Sequence, residues 1–124
     1  MFILERILQK QGFVLADGAT GTNYFQLGLE TGYPPELWSL EKPELVAGLH
    51  DRFISAGSDV ILTNTFGGTS YRLKLHHAED QVRALNIAAA KLARQTAAQH
   101  HAATGREIVV AGSMGPTGEL FTPL

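Results

Sequence analysis

The sequence predicts an α/β protein built on a parallel sheet, and three observations carry that prediction. Short apolar runs recur with centres near residues 14, 61 and 109, about 47 residues apart. Each run leaves through a loop rich in Gly, Thr, Asn or Asp. Helical patterns fill the intervals between the runs, which is the signature of β/α units. Crossovers of this kind are right-handed and give parallel strands. Helices covering such a sheet leave two architectures, a doubly wound sheet or a β/α barrel.

The elements follow in order. Phe2 to Gln9 alternates an apolar side (Phe2, Ile3, Ile7, Leu8) with a polar one (Glu5, Arg6, Gln9), and Gly12 stops the helix. Phe13-Val14-Leu15-Ala16 reads as a strand buried on both faces, as parallel sheets require. It ends in the turn Asp17-Gly18-Ala19-Thr20-Gly21-Thr22. A short helix is expected over 23–29, then a loop from Glu30 to Trp38 punctuated by Gly32, Pro34 and Pro35. Pro43 suits the first turn of the next helix, with Glu41 and Glu44 at its positive end. Leu45, Val46, Leu49, Phe53 and Ile54 recur at helical spacing until Gly57. Val60-Ile61-Leu62-Thr63 is the second strand and Asn64 to Thr69 its exit loop. A long helix spans about 78–102, with Val82, Leu85, Ala89, Leu92 and Thr96 as its apolar stripe, and Gly105 ends it. Ile108-Val109-Val110-Ala111 is the third strand, leaving through Gly112-Ser113-Met114-Gly115-Pro116-Thr117-Gly118.

Composition narrows the function classes. The chain has 124 residues, a formal net charge of −2, 44% apolar and 18% charged residues. That balance is ordinary for a globular domain and excludes both a disordered chain and a basic nucleic-acid binder. No apolar window is long enough to span a membrane, and the N-terminus lacks the pattern of a signal peptide, so a cytoplasmic protein is expected. There is no cysteine, which removes disulfides, thiolate metal sites and a Cys nucleophile. The histidines His50, His76, His77, His100 and His101 show no metal-ligand spacing. Trp38 is read as a core residue. Three strands are few for either architecture, since a barrel needs eight, and the third would be an open edge able to pair with another chain. Residues 1–124 are therefore expected to be the N-terminal portion of a larger domain, with self-association as a possibility.

Ligands of parallel sheets bind beyond the carboxyl ends of the strands, where all three unusual loops fall. Asp17 heads the first, with glycines and hydroxyls behind it. A small amino acid suits that loop, with Asp17 on the ammonium and backbone amides on the carboxylate. The competing reading is a tight turn with Asp17 as a helix N-cap. Thr63, Asn64 and Thr65 offer hydroxyls and an amide at the second strand tip, or simple turn chemistry. Ser113 and Glu119 mark the third loop, where Glu119 contacts a ligand or is only solvated.

Four stretches together resemble the homocysteine S-methyltransferase domain family, in the family's order. They are Leu15–Thr22, Glu36–Glu44, Ala56–Gly68 and Gly112–Leu120. The wording is nearest to bacterial betaine-type enzymes and the homocysteine module of methionine synthase. The resemblance implies the first three units of a TIM (β/α)8 barrel. It implies zinc on three cysteines, activating the homocysteine thiol so that it takes a methyl group and yields methionine. Those cysteines belong to later strands, so this chain alone should neither hold catalytic zinc nor turn over. By the same resemblance Asp17 lies near the substrate ammonium, and Gly18 and Ala19 near its carboxylate. Asn64 and Thr65 are the next candidates, followed by Thr63, Ser113 and Glu119 from position. Betaine is the favoured methyl donor. The family's other donors are S-methylmethionine and methylcobalamin charged from methyltetrahydrofolate, the latter with cobalamin carried on a partner domain. Where animal betaine enzymes place a cage tyrosine, this chain has Gly67. The rival to the enzyme reading is a stand-alone α/β module that binds a small anion or a nucleotide.

Overall fold

The computed structural model describes residues 1–122. Helix α1 (Ile3–Gln11) ends at Gly12, whose φ of +81° lets its amide reach the Leu8 carbonyl at 2.8 Å. Only Ile7 of this helix is buried; Phe2, Ile3 and Leu8 of the expected packing side face solvent.

The Phe13–Ala16 run is where the structure departs most from expectation. It forms a single parallel bridge, Ala16 to Val60, rather than a strand buried on both faces. Phe13 and Leu15 are exposed, because no layer covers them among the described residues. Backbone pairing holds only its end. The Leu15 carbonyl accepts from the Asp59 and Val60 N–H groups at 2.7 and 3.1 Å, and the Asp17 N–H donates to the Val60 carbonyl at 2.9 Å. Upstream, the buried Asp59 carboxylate stands in for a ladder. Its Oδ2 accepts from the Leu15 N–H at 2.9 Å and from the Gln11 amide at 2.7 Å.

Helix α2 (Gly21–Gln26) buries Tyr24 completely. The expected loop after it contains a 3₁₀ turn, Pro35–Leu37, which runs into the short helix α3 (Trp38–Glu41). Proline fixes φ near its helical value at such a start. Helix α4 (Pro43–Ser55) begins on Pro43, as the spacing predicts. Near its end Arg106 donates from its guanidinium to the Ile54 carbonyl at 3.0 Å and to the Ser58 carbonyl, beyond the helix, at 2.7 Å. Strand β1 (Val60–Leu62) follows. Helix α5 (Ser70–Lys74) fills a stretch for which the sequence pattern predicts no element, although Thr69 is a good N-cap and accepts from the Arg72 N–H at 3.2 Å. A 3₁₀ turn, Glu79–Gln81, leads into α6 (Val82–Thr104), which stops at Gly105 with φ +74°. Strand β2 is Val109–Ala111.

β1 and β2 are parallel, with Val60 opposite Val109, Ile61 opposite Val110 and Leu62 opposite Ala111. With the Ala16 bridge on the other side of β1, the three predicted runs lie side by side in chain order. Consecutive strands in consecutive places are what repeated β/α units produce. Among the described residues no helix is long and apolar enough to cross a membrane.

Three apolar clusters fill the interior. One joins Tyr24, Leu29, Trp38, Val46 and Leu49. A second joins Ile54 and Ile61 to Ala93, Ala97 and Ile108, and the third unites Leu37, Leu73, Ala78 and Leu85. Helix α6 reaches all three, through Leu92, through Ala93 and Ala97, and through Val82 and Leu85. Trp38 is core, edge-on to Tyr24 at 5.5 Å, with the Lys42 ammonium 5.2 Å above its ring.

Truncating Ile61 to alanine removes a fully buried side chain from the middle of β1. Ile61→Ala and Leu85→Ala should each lower unfolding free energy by about 2–5 kcal/mol in urea titrations. Leu120→Ala, at a 92% exposed position, should change it by less than about 0.5 kcal/mol.

Candidate functional site

The carboxyl ends of the three parallel segments open on one rim. Asp17 stands at the first. Its carboxylate does not cap α2, which starts at Gly21 behind Thr20. Instead Oδ2 accepts the Leu62 N–H at 3.0 Å, tying the first loop to the end of β1. The Oδ1 atom is sealed from solvent and has no protein partner.

At the second and third tips a chain of hydroxyls does the joining. The Ser113 N–H donates to Thr63 Oγ1 at 3.1 Å, and Thr65 Oγ1 donates to the Ser113 carbonyl at 2.7 Å. The two threonine oxygens lie 2.7 Å apart. Thr65 has one hydroxyl proton and gives it to Ser113, so the Thr63 hydroxyl must be the donor between them. Asn64 turns the other way, donating to the Pro35 carbonyl at 2.8 Å and the Ser39 hydroxyl at 3.3 Å. That pins the β1 exit loop to the turn ahead of α3.

Six of the eight sequence candidates line one cleft of about 270 Å³: Asp17, Gly18, Thr63, Asn64, Thr65 and Ser113. Two do not. Ala19 does not line it, and its carbonyl is taken by the Asn23 amide at 2.7 Å. Glu119 is exposed, and its N–H is held by the Thr117 hydroxyl at 3.1 Å.

The structure adds Glu36, Thr20, Pro35 and Phe66 to the cleft. Glu36 is the most consequential of these. It is only 6% exposed, and its Oε1 accepts the Gly67 N–H at 2.7 Å. In the sequence it reads as the acidic lead into a helix. The signal available was a carboxylate between two prolines and Leu37-Trp38, a setting that withdraws it from water. A Cβ on Gly67 would lie 2.7 Å from that same Oε1, so glycine is what lets the carboxylate approach. Glu36 and Phe66 also wall a neighbouring cleft of about 420 Å³ that holds Tyr33, Arg72 and His76. The Tyr33 hydroxyl donates to the Glu41 carboxylate, which does not line that cleft, at 2.6 Å, and this pushes the phenol up to about 12. A further cleft of about 210 Å³, between α1, α6 and β2, shares none of these residues.

The electrostatics of the Asp17 cleft are one-sided. Two carboxylates line it and no Lys, Arg or His does, so it favours a cationic group over an anion. Beneath it, burial pushes the Tyr24 phenol well above its ordinary range, and the charges of Asp17 and Glu36 push it further. Burial pushes the His50 imidazole down, with Asp17 pulling the other way. As for metal, the chain has no cysteine, and no three His, Asp or Glu side chains gather into a ligand set among the described residues. This donor set does not fit the zinc centre implied by the family resemblance, and the residues of the cleft are assigned no step that passes through zinc.

Parallel β/α units opening onto a polar cleft define a domain of the β/α enzyme type. The family model for homocysteine S-methyltransferase matches residues 14–123, and the chain belongs to that family. It is also similar to two crystal structures of the homocysteine methyltransferase MmuM from Escherichia coli. Against the metallated form the TM-score is 0.78 at 30% identity, over 93% of this chain and 42% of that one. Against the oxidized form the TM-score is 0.79 at 30% identity, over 93% and 41%. The chain thus spans less than half the length of these solved relatives.

Two outcomes test the geometry. A Cβ at Gly115 would overlap the Phe66 carbonyl oxygen, which now accepts the Gly115 N–H at 3.0 Å. Gly115→Ala should therefore cost about 1–3 kcal/mol in thermal unfolding. The second concerns acid. A native imidazole pushed below its unfolded value leaves the unfolded state to take up the proton first. His50 therefore contributes stability above about pH 6.5 that is lost as pH falls toward its lower native value. Urea midpoints at pH 7.5 and 5 should converge in His50→Gln relative to the parent protein; an unchanged difference would contradict this.

Proposed function

We propose that this chain supplies the amino-acid-binding part of a homocysteine S-methyltransferase, as the first β/α units of a (β/α)8 barrel whose remainder lies outside residues 1–124. The observation that carries the reading is the convergence of Asp17, Thr63, Asn64, Thr65 and Ser113 on one acidic cleft. In this reading Asp17 pairs with the substrate ammonium through the free lone pairs of Oδ2. The Gly18 amide takes the carboxylate, and the Thr63 and Thr65 hydroxyls, bonded to the Ser113 backbone, hold the rim that frames the substrate. Glu119 has no role in it. The reaction forms a sulfur–methyl bond and breaks the methyl bond of the donor, while the thiol loses its proton, giving methionine. Activation of that thiol by zinc is not a task of these residues.

The donor this reading favours is betaine. A quaternary ammonium suits a cleft whose second carboxylate, Glu36, stands beside the exposed Phe66 ring. Methylcobalamin or methyltetrahydrofolate is the alternative donor. The same acidic lining argues against a free-standing anion- or nucleotide-binding module.

Asp17→Asn tests the assignment cleanly, because asparagine can still accept the Leu62 N–H and keep the loop in place. Calorimetry should show L-homocysteine affinity falling by about tenfold or more, as loss of a charge-assisted bond requires, with the melting temperature little changed. Unaltered affinity, or tight binding of phosphate by the parent protein, would refute the reading.

A further inference from the structure

Among the described residues three buried side-chain polar atoms lack a protein partner: Asp17 Oδ1, Tyr24 Oη and His50 Nε2. Burying such a group unpaired costs about 1–3 kcal/mol, so three of them call for a common account. Tyr24 and His50 are sealed, at 0% and 2% exposure.

Packing brings together the segments that carry the three. Tyr24 shares its apolar cluster with Val46 and Leu49, which are on α4 one turn before His50 and next to it. Phe53, packed against that cluster, lies 3.5 Å from where a Cβ of Gly18 would stand. The residue after Asp17 therefore rests on the part of α4 that carries His50. In keeping with this, the charge of Asp17 acts on both Tyr24 and His50.

Their chemistry is complementary through a third body and not pairwise. A carboxylate oxygen only accepts, a phenol can donate one proton, and a neutral imidazole nitrogen either donates or accepts according to tautomer. One water satisfies all three, since it donates twice and accepts twice, and buried waters characteristically make about three such bonds. We infer that Tyr24 and His50 are positioning residues for Asp17, joined to its Oδ1 through one buried water under the cleft. Leu62 fixes Oδ2 from the strand side and the water fixes Oδ1 from below, so the carboxylate plane is set by two tethers. Neither Tyr24 nor His50 lines the cleft, and both act only through Asp17.

This inference rests on reading Asp17 as the ammonium partner, and the experiment separates the two. Tyr24→Phe deletes only the hydroxyl and keeps the ring that packs on Trp38. His50→Leu deletes the ring nitrogens, and His50→Gln returns a polar atom. Tyr24→Phe and His50→Leu should each weaken L-homocysteine binding about fivefold, the worth of one hydrogen bond, and His50→Gln should recover most of the loss. If His50→Leu does not fold, Tyr24→Phe decides alone. A crystal structure of the parent protein should place a water within about 3.2 Å of all three atoms. A Tyr24→Phe protein that melts higher and binds L-homocysteine unchanged would overturn the inference, because deleting a merely orphaned hydroxyl has that effect. If the parent protein binds no L-homocysteine, the functional reading fails by itself. The electron density then decides the tether, with a bridging water sustaining it and its absence sinking it.

Discussion

Parallel segments can deliver their carboxyl ends to one rim only when each is held in register by its neighbour, and here that duty falls on β1. Three residues, Val60 to Leu62, pair with the Ala16 segment on one side and with β2 on the other. So short a strand has little ladder of its own to contribute. Its register is fixed from outside the ladder, by Asp59 bonding to Leu15 at one end and Asp17 bonding to Leu62 at the other. Both carboxylates cross between the first run and β1. The same acid that is offered to a ligand thus also sets the alignment of the strands that present it.

Beyond the strand ends, polar side chains take over from apolar packing. Thr63, Thr65 and Ser113 couple the second and third loops, Asn64 and Glu36 couple the second loop to the turn before α3, and Gly115 reaches Phe66. Each bond is made inside or at the edge of the cleft, where solvent competes weakly and an unpaired group is expensive. A rim built in this way is rigid without a layer of aliphatic residues over it, which leaves the cleft open.

Much of this is readable from the residues. Alternating helical and apolar runs give α4, α6 and both strands to within a few residues, because burial and caps are local there: Pro43 starts a helix and Gly105 ends one. The loops at the strand tips are recognisable from their composition, and six of their eight candidates meet in the cleft. What is not readable depends on tertiary partners. Phe13–Ala16 has the composition of a buried strand, but a strand needs covering layers that a local pattern does not reveal. Helix α5 is too short to show a period. Glu36 is nearly invisible, since its role depends on Gly67, 31 residues further along the chain. Tyr24 and His50 are equally mute, as neither spacing nor neighbours announce that their polar atoms are buried without a protein partner.

Helix α6 has a consequence for the chain as a mechanical object. At 23 residues it runs about 34 Å, long enough to serve as a common beam for the three apolar clusters. Its alanines at 89, 93 and 97 are buried and leave little side-chain bulk between the helix and what it covers. Each of the three clusters rests on that beam at one or two of its residues. The loops that shape the cleft are therefore mounted on a single body with a helix at its back, which meets the β1 exit loop through the Asn86 amide on the Gly68 carbonyl at 2.8 Å.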